Sequence, residues 1–281
     1  MSAEIFDDRR CLLGEGPLWH PERGQLFWFD ILGAKMLSRD GEGPRVWEIG
    51  EMASAAGWVD AQTLVISTET GLRRFDIATG AHEPLVRIED RNTVTRSNDG
   101  RADPMGGFWV STMGKALERG AGSIYRYFEG VVEPLFRDIT VPNAICFTPD
   151  GRRAYFADTP TSRILTVALD AQGWPAEAPE IFVDLKEEGL KPDGAVLDIE
   201  GGLWNAQWSA GRVARYDREG RFDRAIAVPG RFSTCPAFGG PDLESLFVTS
   251  AQEGESDPAQ GCTFRVEAGV AGLSEARVRL V

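Results

Sequence analysis

Four oxygen-bearing side chains lie at matching places in a repeating sequence unit, namely those of Glu15, Asn98, Asn143 and Asp193. Each comes shortly before a turn rich in Gly, Pro or Asp, and each turn leads into an apolar segment with aromatic residues. Carboxylate and amide oxygens are the ligands that hard divalent cations prefer. If the repeating units surround one axis, these side chains point toward it, and the sequence predicts a cation site there.

Two charged residues adjoin Asn98. Arg96 lies two residues earlier, so the alternation of side chains along a strand directs it to the same face as Asn98. A guanidinium beside a carboxylate cluster is suited to binding hydroxyl or carbonyl oxygens. Asp99 is interpreted either as an anchor for the site or as the acid of a turn, and the sequence leaves both interpretations open.

A repeat of apolar segments predicts the strands that must position these residues. The segments lie about 37 to 48 residues apart, which is in the range expected for successive blades of a β-propeller. They are residues 26–29, 64–66, 108–110, 155–157, 203–205 and 246–248. A further strand is predicted at residues 72–75, 123–127, 164–167 and 212–216, because β-branched and aromatic residues are frequent there.

Six such units of four short strands predict an all-β fold, a six-bladed β-propeller with four-stranded antiparallel blades. A sandwich or barrel also contains many short strands, but it does not need six near-copies of one hairpin. Residues 4–13 precede the first blade and are predicted to form the outer strand of the last blade, after residues 263–266. No linker divides the sequence, so residues 1–281 are expected to form a single domain.

Composition excludes several classes of function. The net charge of −13 argues against nucleic acid or an anionic membrane as a partner. No apolar run approaches the roughly 18 residues that a membrane span needs, and residues 1–10 lack the apolar core of a signal peptide, so we expect a cytoplasmic protein. The four cysteines are far apart and are interpreted as reduced thiols of the core.

Histidine is scarce, and this scarcity limits the chemistry. His20 and His82 are the two histidines, and both lie in predicted turns, where they are interpreted as solvated. A Ser-His-Asp hydrolase needs a histidine inside its site, and the sequence contains neither a P-loop nor an H-E-x-x-H motif. Any polar catalysis is therefore expected from carboxylates and a metal.

The sequence resembles the family of regucalcin (senescence marker protein), gluconolactonase and sugar-lactone lactonase. Matching motifs run along nearly the whole chain, in the order and spacing of the family. They are Leu-Gly-Glu-Gly-Pro-Leu-Trp at 13–19, Arg-Ser-Asn-Asp-Gly at 96–100, Val-Pro-Asn at 141–143, Pro-Asp-Gly at 192–194, Gly-Gly-Leu-Trp at 201–204 and Phe-Gly-Gly-Pro-Asp-Leu at 238–243. Each motif is weak alone, but the set is specific.

The resemblance implies a metal-dependent hydrolase that opens a sugar lactone of the aldonolactone type to the sugar acid. It implies that Glu15, Asn143 and Asp193 bind one divalent metal ion, that Arg96 and Asn98 bind the substrate, and that Asp193 is also the general base. The identity of the metal is left open among Ca, Zn, Mn, Mg and Fe(II), because carboxylate and amide ligands suit all of them. The expected partner is a small-molecule sugar lactone, and the expected state is a monomer or a weak homo-oligomer.

One departure from the family concerns residues 111–116. Animal members carry acidic residues shortly after a Gly-Thr-Met motif, and one of them contacts the substrate. Here the motif reads Ser-Thr-Met, and Gly114 and Lys115 follow it. Lys115 is therefore predicted to face the substrate and to favour one with an anionic group.

Three other functions are alternatives to that of a lactonase. A calcium-binding regulator needs the same acidic and amide residues at the axis, so the sequence leaves it open. A scaffold propeller does not need them, although the fold serves both uses. An aryl-ester or phosphotriester hydrolase could use the same metal on the same fold.

Overall fold

The computed structural model describes residues 3–281 and confirms the predicted six-bladed β-propeller. Its strands are β1 (Glu4–Asp7), β2 (Gly14–His20), β3 (Gln25–Asp30), β4 (Lys35–Asp40), β5 (Gly43–Glu48), β6 (Ala53–Asp60), β7 (Thr63–Thr68), β8 (Gly71–Asp76), β9 (His82–Arg87), β10 (Thr95–Ala102), β11 (Phe108–Gly114), β12 (Gly122–Phe128), β13 (Val131–Ile139), β14 (Pro142–Phe147), β15 (Arg153–Asp158), β16 (Arg163–Ala168), β17 (Glu180–Asp184), β18 (Lys191–Leu197), β19 (Leu203–Trp208), β20 (Arg212–Tyr216), β21 (Phe222–Ala227), β22 (Phe232–Gly239), β23 (Ser245–Ala251) and β24 (Thr263–Glu267). A 3-10 turn, Thr159–Thr161, follows β15. Within residues 3–281, no helix has the length and hydropathy of a membrane span.

Each blade consists of four consecutive strands, except the last. Blades 1 to 5 begin with β2, β6, β10, β14 and β18, and blade 6 consists of β22, β23, β24 and β1. The predicted closure is confirmed, because β1 pairs with β24 and places Glu4 opposite Arg265. Asp7, at the end of β1, accepts hydrogen bonds from Arg9 Nε and from Arg39 Nε on β4. The last blade is thereby joined to the first.

Burial explains why the second strand of each blade is apolar on both faces. β3 is buried along its whole length, because blades stack face to face and cover both of its sides. The outer strand β5 alternates instead between exposed and half-buried residues, as expected for a strand with one solvated face. Phe27 of blade 1 packs in one cluster with Leu64 and Phe75 of blade 2. The core therefore lies between neighbouring blades.

The first strand of each blade is its inner strand. These strands contact one another in the order β2, β6, β10, β14, β18, β22 and back to β2, so they surround a central channel. We call the end at which they begin the upper end of the channel, and the other the lower end.

Residues 271–280, the crossing segment, follow blade 6 and pass beneath the lower end of the channel. Ala271 O accepts a hydrogen bond from Ile199 N in blade 5 at 3.0 Å. Val278 is fully buried, and its N donates to Trp58 O in blade 2 at 2.9 Å. Blades 5 and 2 lie on opposite sides of the ring, so the segment spans it.

The prediction that His20 is a solvated turn residue is wrong. His20 is the last residue of β2 and is fully buried, with its Nε2 3.0 Å from Asp60 O in blade 2. The turn begins only beyond it, since Gly24 N donates to His20 O. His82 begins β9 and is half-buried. The four cysteines are free and buried.

Candidate active site

Five of the six predicted site residues come together near the upper end of the channel. Glu15 lies on β2, Arg96 and Asn98 lie on β10, Asn143 lies on β14, and Asp193 lies on β18. All five are buried. Four blades therefore contribute to one site.

Every inner strand has a β-bulge at the level of this site. The register shifts between residues 15 and 18, 53 and 55, 97 and 100, 143 and 146, 192 and 195, and 233 and 236. A bulge leaves ladder positions unpaired and redirects the adjacent side chains. Gly16, next to Glu15, has a φ of 54°, and a Cβ there would lie 2.0 Å from Ser54 O. Glycine is therefore required beside Glu15, because only it permits this approach of blade 2.

A chain of hydrogen bonds links three blades across the site. Arg96 Nη1 donates to Asn98 Oδ1 at 2.8 Å, and Asn98 Nδ2 donates to Asn143 Oδ1 at 2.9 Å. Asn143 Nδ2 donates to Thr159 Oγ1 at 2.9 Å, and this hydroxyl donates to Pro192 O at 2.7 Å. Both amides are fixed in orientation, and Asn143 Oδ1 keeps a second lone pair for a ligand.

The carboxyl groups of Glu15 and Asp193 are both buried and lie close enough to interact electrostatically. Burial and the Asp99 carboxylate raise the pKa of Glu15 to about 8, while Arg96 acts in the opposite direction. Burial and the carboxylates of Glu15 and Asp99 raise the pKa of Asp193 well above its ordinary value. Ionising both carboxyl groups would therefore place more negative than positive charge at this site.

The charge imbalance and the donor atoms suit a divalent cation. The Arg96 guanidinium lies close to the carboxyl groups of Glu15 and Asp193, and the Asp99 carboxyl group lies close to both of those acids. Within residues 3–281, no three His, Cys, Asp or Glu side chains form a metal-binding group. A cation bound by Glu15 and Asp193 would need a further ligand, and the amide oxygen of Asn143 has the required chemistry.

Asp99 serves as an anchor, which resolves the alternative that the sequence left open. Its Oδ1 accepts a hydrogen bond from Gly100 N at 2.8 Å, and its Oδ2 accepts one from Ile145 N at 2.7 Å. Ile145 follows Asn143 by two residues on β14. Asp99 thus ties the bulge of blade 3 to that of blade 4, and burial raises its pKa.

Two residues that support the site were not indicated by the motifs. Asn205 Nδ2, on β19, donates to Asp193 O at 2.8 Å and to Gly194 O at 3.1 Å, which fixes the bulge that carries Asp193. The amide of Asn205 in the middle of a buried second strand was the available signal. Arg101 contacts the backbones of β14 and β18 below the site, and its sequence context gives no such signal.

Lys115 is not part of the cluster. Its Nζ lies 2.6 Å from Glu69 Oε2 and its side chain is 34% exposed. Its N donates to Val94 O at 2.8 Å, and Val94 precedes Arg96 by two residues. Lys115 therefore lies at the upper rim, where its predicted contact with substrate stays a prediction.

A six-bladed propeller with carboxylate, amide and guanidinium groups at its axis defines a class of protein with an acidic site in the channel. Residues 13–252 match the family described as the SMP-30/Gluconolactonase/LRE-like region, and the chain belongs to this family. The resemblance stated from the motifs is thereby confirmed.

Relatives are similar along nearly the whole chain. An L-arabinolactonase of Azospirillum brasilense is 34% identical over 98% of this chain and 95% of its own length. A pentonolactonase of Haloferax volcanii is 33% identical over 99% of this chain and 98% of its own. The crystal structure of a calcium-binding protein, regucalcin, from Agrobacterium tumefaciens has a TM-score of 0.96 and 40% identity, covering 99% of this chain and 98% of that one.

Proposed function

We propose that this protein is a metal-dependent lactonase that opens a sugar lactone of the aldonolactone type to the sugar acid. The observation that carries the proposal is the meeting of Glu15, Asn143 and Asp193 with Arg96 and Asn98 in one buried site. Relatives named as lactonases along the whole chain support it.

Glu15, Asn143 and Asp193 are the proposed ligands of one divalent cation. Their oxygens suit Ca, Zn, Mn, Mg or Fe(II). When bound, the cation supplies Lewis-acid polarisation of the lactone carbonyl. Glu15 and Asp193 are then ionised, because a nearby positive charge favours the charged form of a carboxylate.

Asp193 is the proposed general base. Its carboxylate takes a proton from a water molecule as the water oxygen attacks the carbonyl carbon of the lactone. The bond between that carbon and the ring oxygen then breaks, and the proton passes to the ring oxygen, which becomes a hydroxyl group. Without a cation, burial among other carboxyl groups makes Asp193 more basic than an exposed aspartate. A bound cation would lower its pKa toward neutral pH, where a general base is most effective.

Arg96 and Asn98 are proposed to orient the hydroxyl groups of the sugar. Within the described chain, Arg96 uses Nη1 for Asn98 Oδ1 and Ser97 O, which leaves other guanidinium N–H groups to a ligand. Positioning of this kind contributes by holding the reacting atoms in place rather than by chemistry.

Calcium binding without catalysis is the second candidate. It is favoured by the 40% identity with a protein named as calcium-binding regucalcin. The same site would bind the ion, so the two candidates differ in whether Asp193 takes part in turnover.

Lactone hydrolysis by the metal-stripped protein separates the candidates. We expect no hydrolysis of pentono- and hexonolactones in the presence of chelator, and recovery when one of Ca, Zn, Mn, Mg or Fe(II) is returned. Calcium binding with no hydrolysis under any of these metals would overturn the lactonase and support the regulator.

A further inference from the structure

The crossing segment brings one charged side chain into the channel. Glu275 Oε1 forms an ion pair with Arg101 Nη1, and the two side chains are 7% and 11% exposed. The backbone of the segment is fixed at this residue and after it, since Trp58 Nε1 donates to Glu275 O at 2.9 Å and Arg279 N donates to Gly106 O at 2.9 Å. The position of Glu275 is therefore set by blades 2 and 3.

The ion pair divides the channel into two parts. A cavity of about 10 Å³ lies on its upper side, among Gly16, Asp99 and Cys235, and has room for no more than about one water molecule. A cavity of about 830 Å³ lies on its lower side, along the crossing segment. The Arg101–Glu275 pair thus forms the floor of the site.

The guanidinium of Arg101 also contacts two of the three inner strands that carry proposed metal ligands, namely β14 and β18. Its Nε donates to Ile145 O at 3.2 Å, and its Nη2 donates to Ala195 O at 3.3 Å. Ile145 follows Asn143 by two residues, and Ala195 follows Asp193 by two residues. One side chain therefore fixes β14 and β18 directly below the site.

We propose that Arg101 and Glu275 are positioning residues, through which the crossing segment fixes the bulges that carry Asn143 and Asp193. Glu275 orients the guanidinium, and the guanidinium holds the carbonyl groups of Ile145 and Ala195. Glu275 also balances the charge of Arg101, which would otherwise attract Asp99 and oppose a cation above it. The consequence for catalysis rests on the proposed function, but the positioning itself does not.

The test compares Glu275→Gln with Glu51→Gln in the whole chain. Both substitutions keep the shape of the side chain and remove its charge. Glu51 forms an ion pair with Arg73 in blade 2, in which the two side chains are 13% and 23% exposed. Their other side-chain hydrogen bonds join Thr70 and His82, away from the site and from the crossing segment. Glu51→Gln therefore controls for a general loss of stability.

Two measurements are made on each metal-stripped variant, namely amide hydrogen exchange and titration with Mn²⁺. In Glu275→Gln, we expect exchange in β14 and β18 to become about tenfold faster and Mn²⁺ affinity to fall about tenfold, as when one hydrogen bond from a charged donor is lost. In Glu51→Gln, both quantities should stay within about threefold of the wild type, as for independent sites.

Wild-type exchange of β14 and β18 in Glu275→Gln would overturn the proposal. An effect of Glu51→Gln as large as that of Glu275→Gln would overturn it as well, because the Arg101–Glu275 pair would then act through stability alone. The exchange measurement needs neither metal nor lactone. A wild-type protein that hydrolyses no lactone would therefore contradict the proposed function and leave the positioning to be decided by exchange.

Discussion

Asp193 carries two proposed tasks, as a ligand of the cation and as the base, and a substitution can separate them. Asp193→Asn keeps the shape and one oxygen donor, but it removes the charge and the proton acceptor. We expect kcat for lactone hydrolysis to fall by about 10² to 10⁴-fold, which is the usual contribution of a positioned base. Burial raises the pKa of Asp193, so this carboxyl group costs stability in the metal-free folded protein at neutral pH. The metal-stripped variant should therefore melt no lower than the metal-stripped wild type.

Steady-state kinetics, Mn²⁺ titration and thermal melting check this prediction. Asp150→Asn, in an exposed turn, is the control and should change none of the three. An Asp193→Asn enzyme with wild-type Mn²⁺ affinity and near wild-type kcat would show that Asp193 is not the base.

The charge at the upper rim of the channel depends on single residues. Lys115 is paired with Glu69, so its positive charge is already balanced. Glu69→Gln leaves the charge of Lys115 unbalanced, which favours a substrate with an extra carboxylate. The preference for an aldarolactone over an aldonolactone, measured as the ratio of their kcat/KM values, should rise by about two- to fivefold. This factor corresponds to the usual energy of an exposed ion pair. Lys115→Glu should shift the ratio in the opposite direction, since it adds negative charge.

Both ratios are measured beside Glu83→Gln, which lies on the outer strand β9 and should leave them unchanged. If neither Glu69→Gln nor Lys115→Glu moves the ratio, Lys115 is a solvated rim residue with no part in specificity.

At the level of strands, the blades were predictable because each second strand is covered on both sides and reads as an apolar segment. The level of the site was predictable too, since its residues lie near the starts of inner strands. The positions of the β-bulges could not be predicted. Glu15 and Asn143 are the last paired residues before a bulge, whereas Asn98 and Asp193 lie within one. A bulge depends on pairing with the neighbouring strand, which the sequence of one strand does not contain.

His20 connects β2 to blade 2 and gives this contact a pH dependence. Burial lowers the pKa of His20 below its ordinary value of 6.5, so the unfolded chain takes up a proton there before the folded protein does. Stability is therefore lost as the pH falls below about 6.5. His20→Gln keeps an N–H group for Asp60 O, and it should lose less stability than the wild type between about pH 7 and pH 5.

Urea denaturation at the two pH values measures this difference. Between about pH 7 and pH 8 the histidine is neutral in both states, so wild type and variant should change in parallel. An equal loss of stability toward pH 5 in both proteins would exclude His20 as a source of the acid sensitivity.

For the whole molecule, closure of the ring depends on the seam between blades 6 and 1. Burial opposes ionisation of Asp7, but hydrogen bonds from Arg9 and Arg39 lower its pKa below the ordinary value. Asp7→Asn weakens these bonds, each worth about 1.5 to 3 kcal/mol, and Tm should fall by roughly 5 °C. Differential scanning calorimetry checks this, with Asp8→Asn on the exposed neighbour as the control. Equal Tm values for the two variants would mean that Asp7 does not secure the seam.

The crossing segment is the part of the molecule that could not be predicted. Residues 271–280 have no strand periodicity, and Glu275 meets Arg101 across 174 positions of the sequence. Such a pair forms only after the ring has closed and brought blades 2, 3 and 5 around one axis. In the sequence, nothing distinguishes Arg101 and Glu275 from other charged residues.

The Arg101–Glu275 pair closes the lower side of the site. Under the proposed function, the lactone and the sugar acid would then both have to pass through the upper end of the channel. An acid that has not yet left would prevent the next lactone from binding, so the product would inhibit competitively. At high product concentration, release of the acid rather than opening of the lactone ring would limit the rate of turnover.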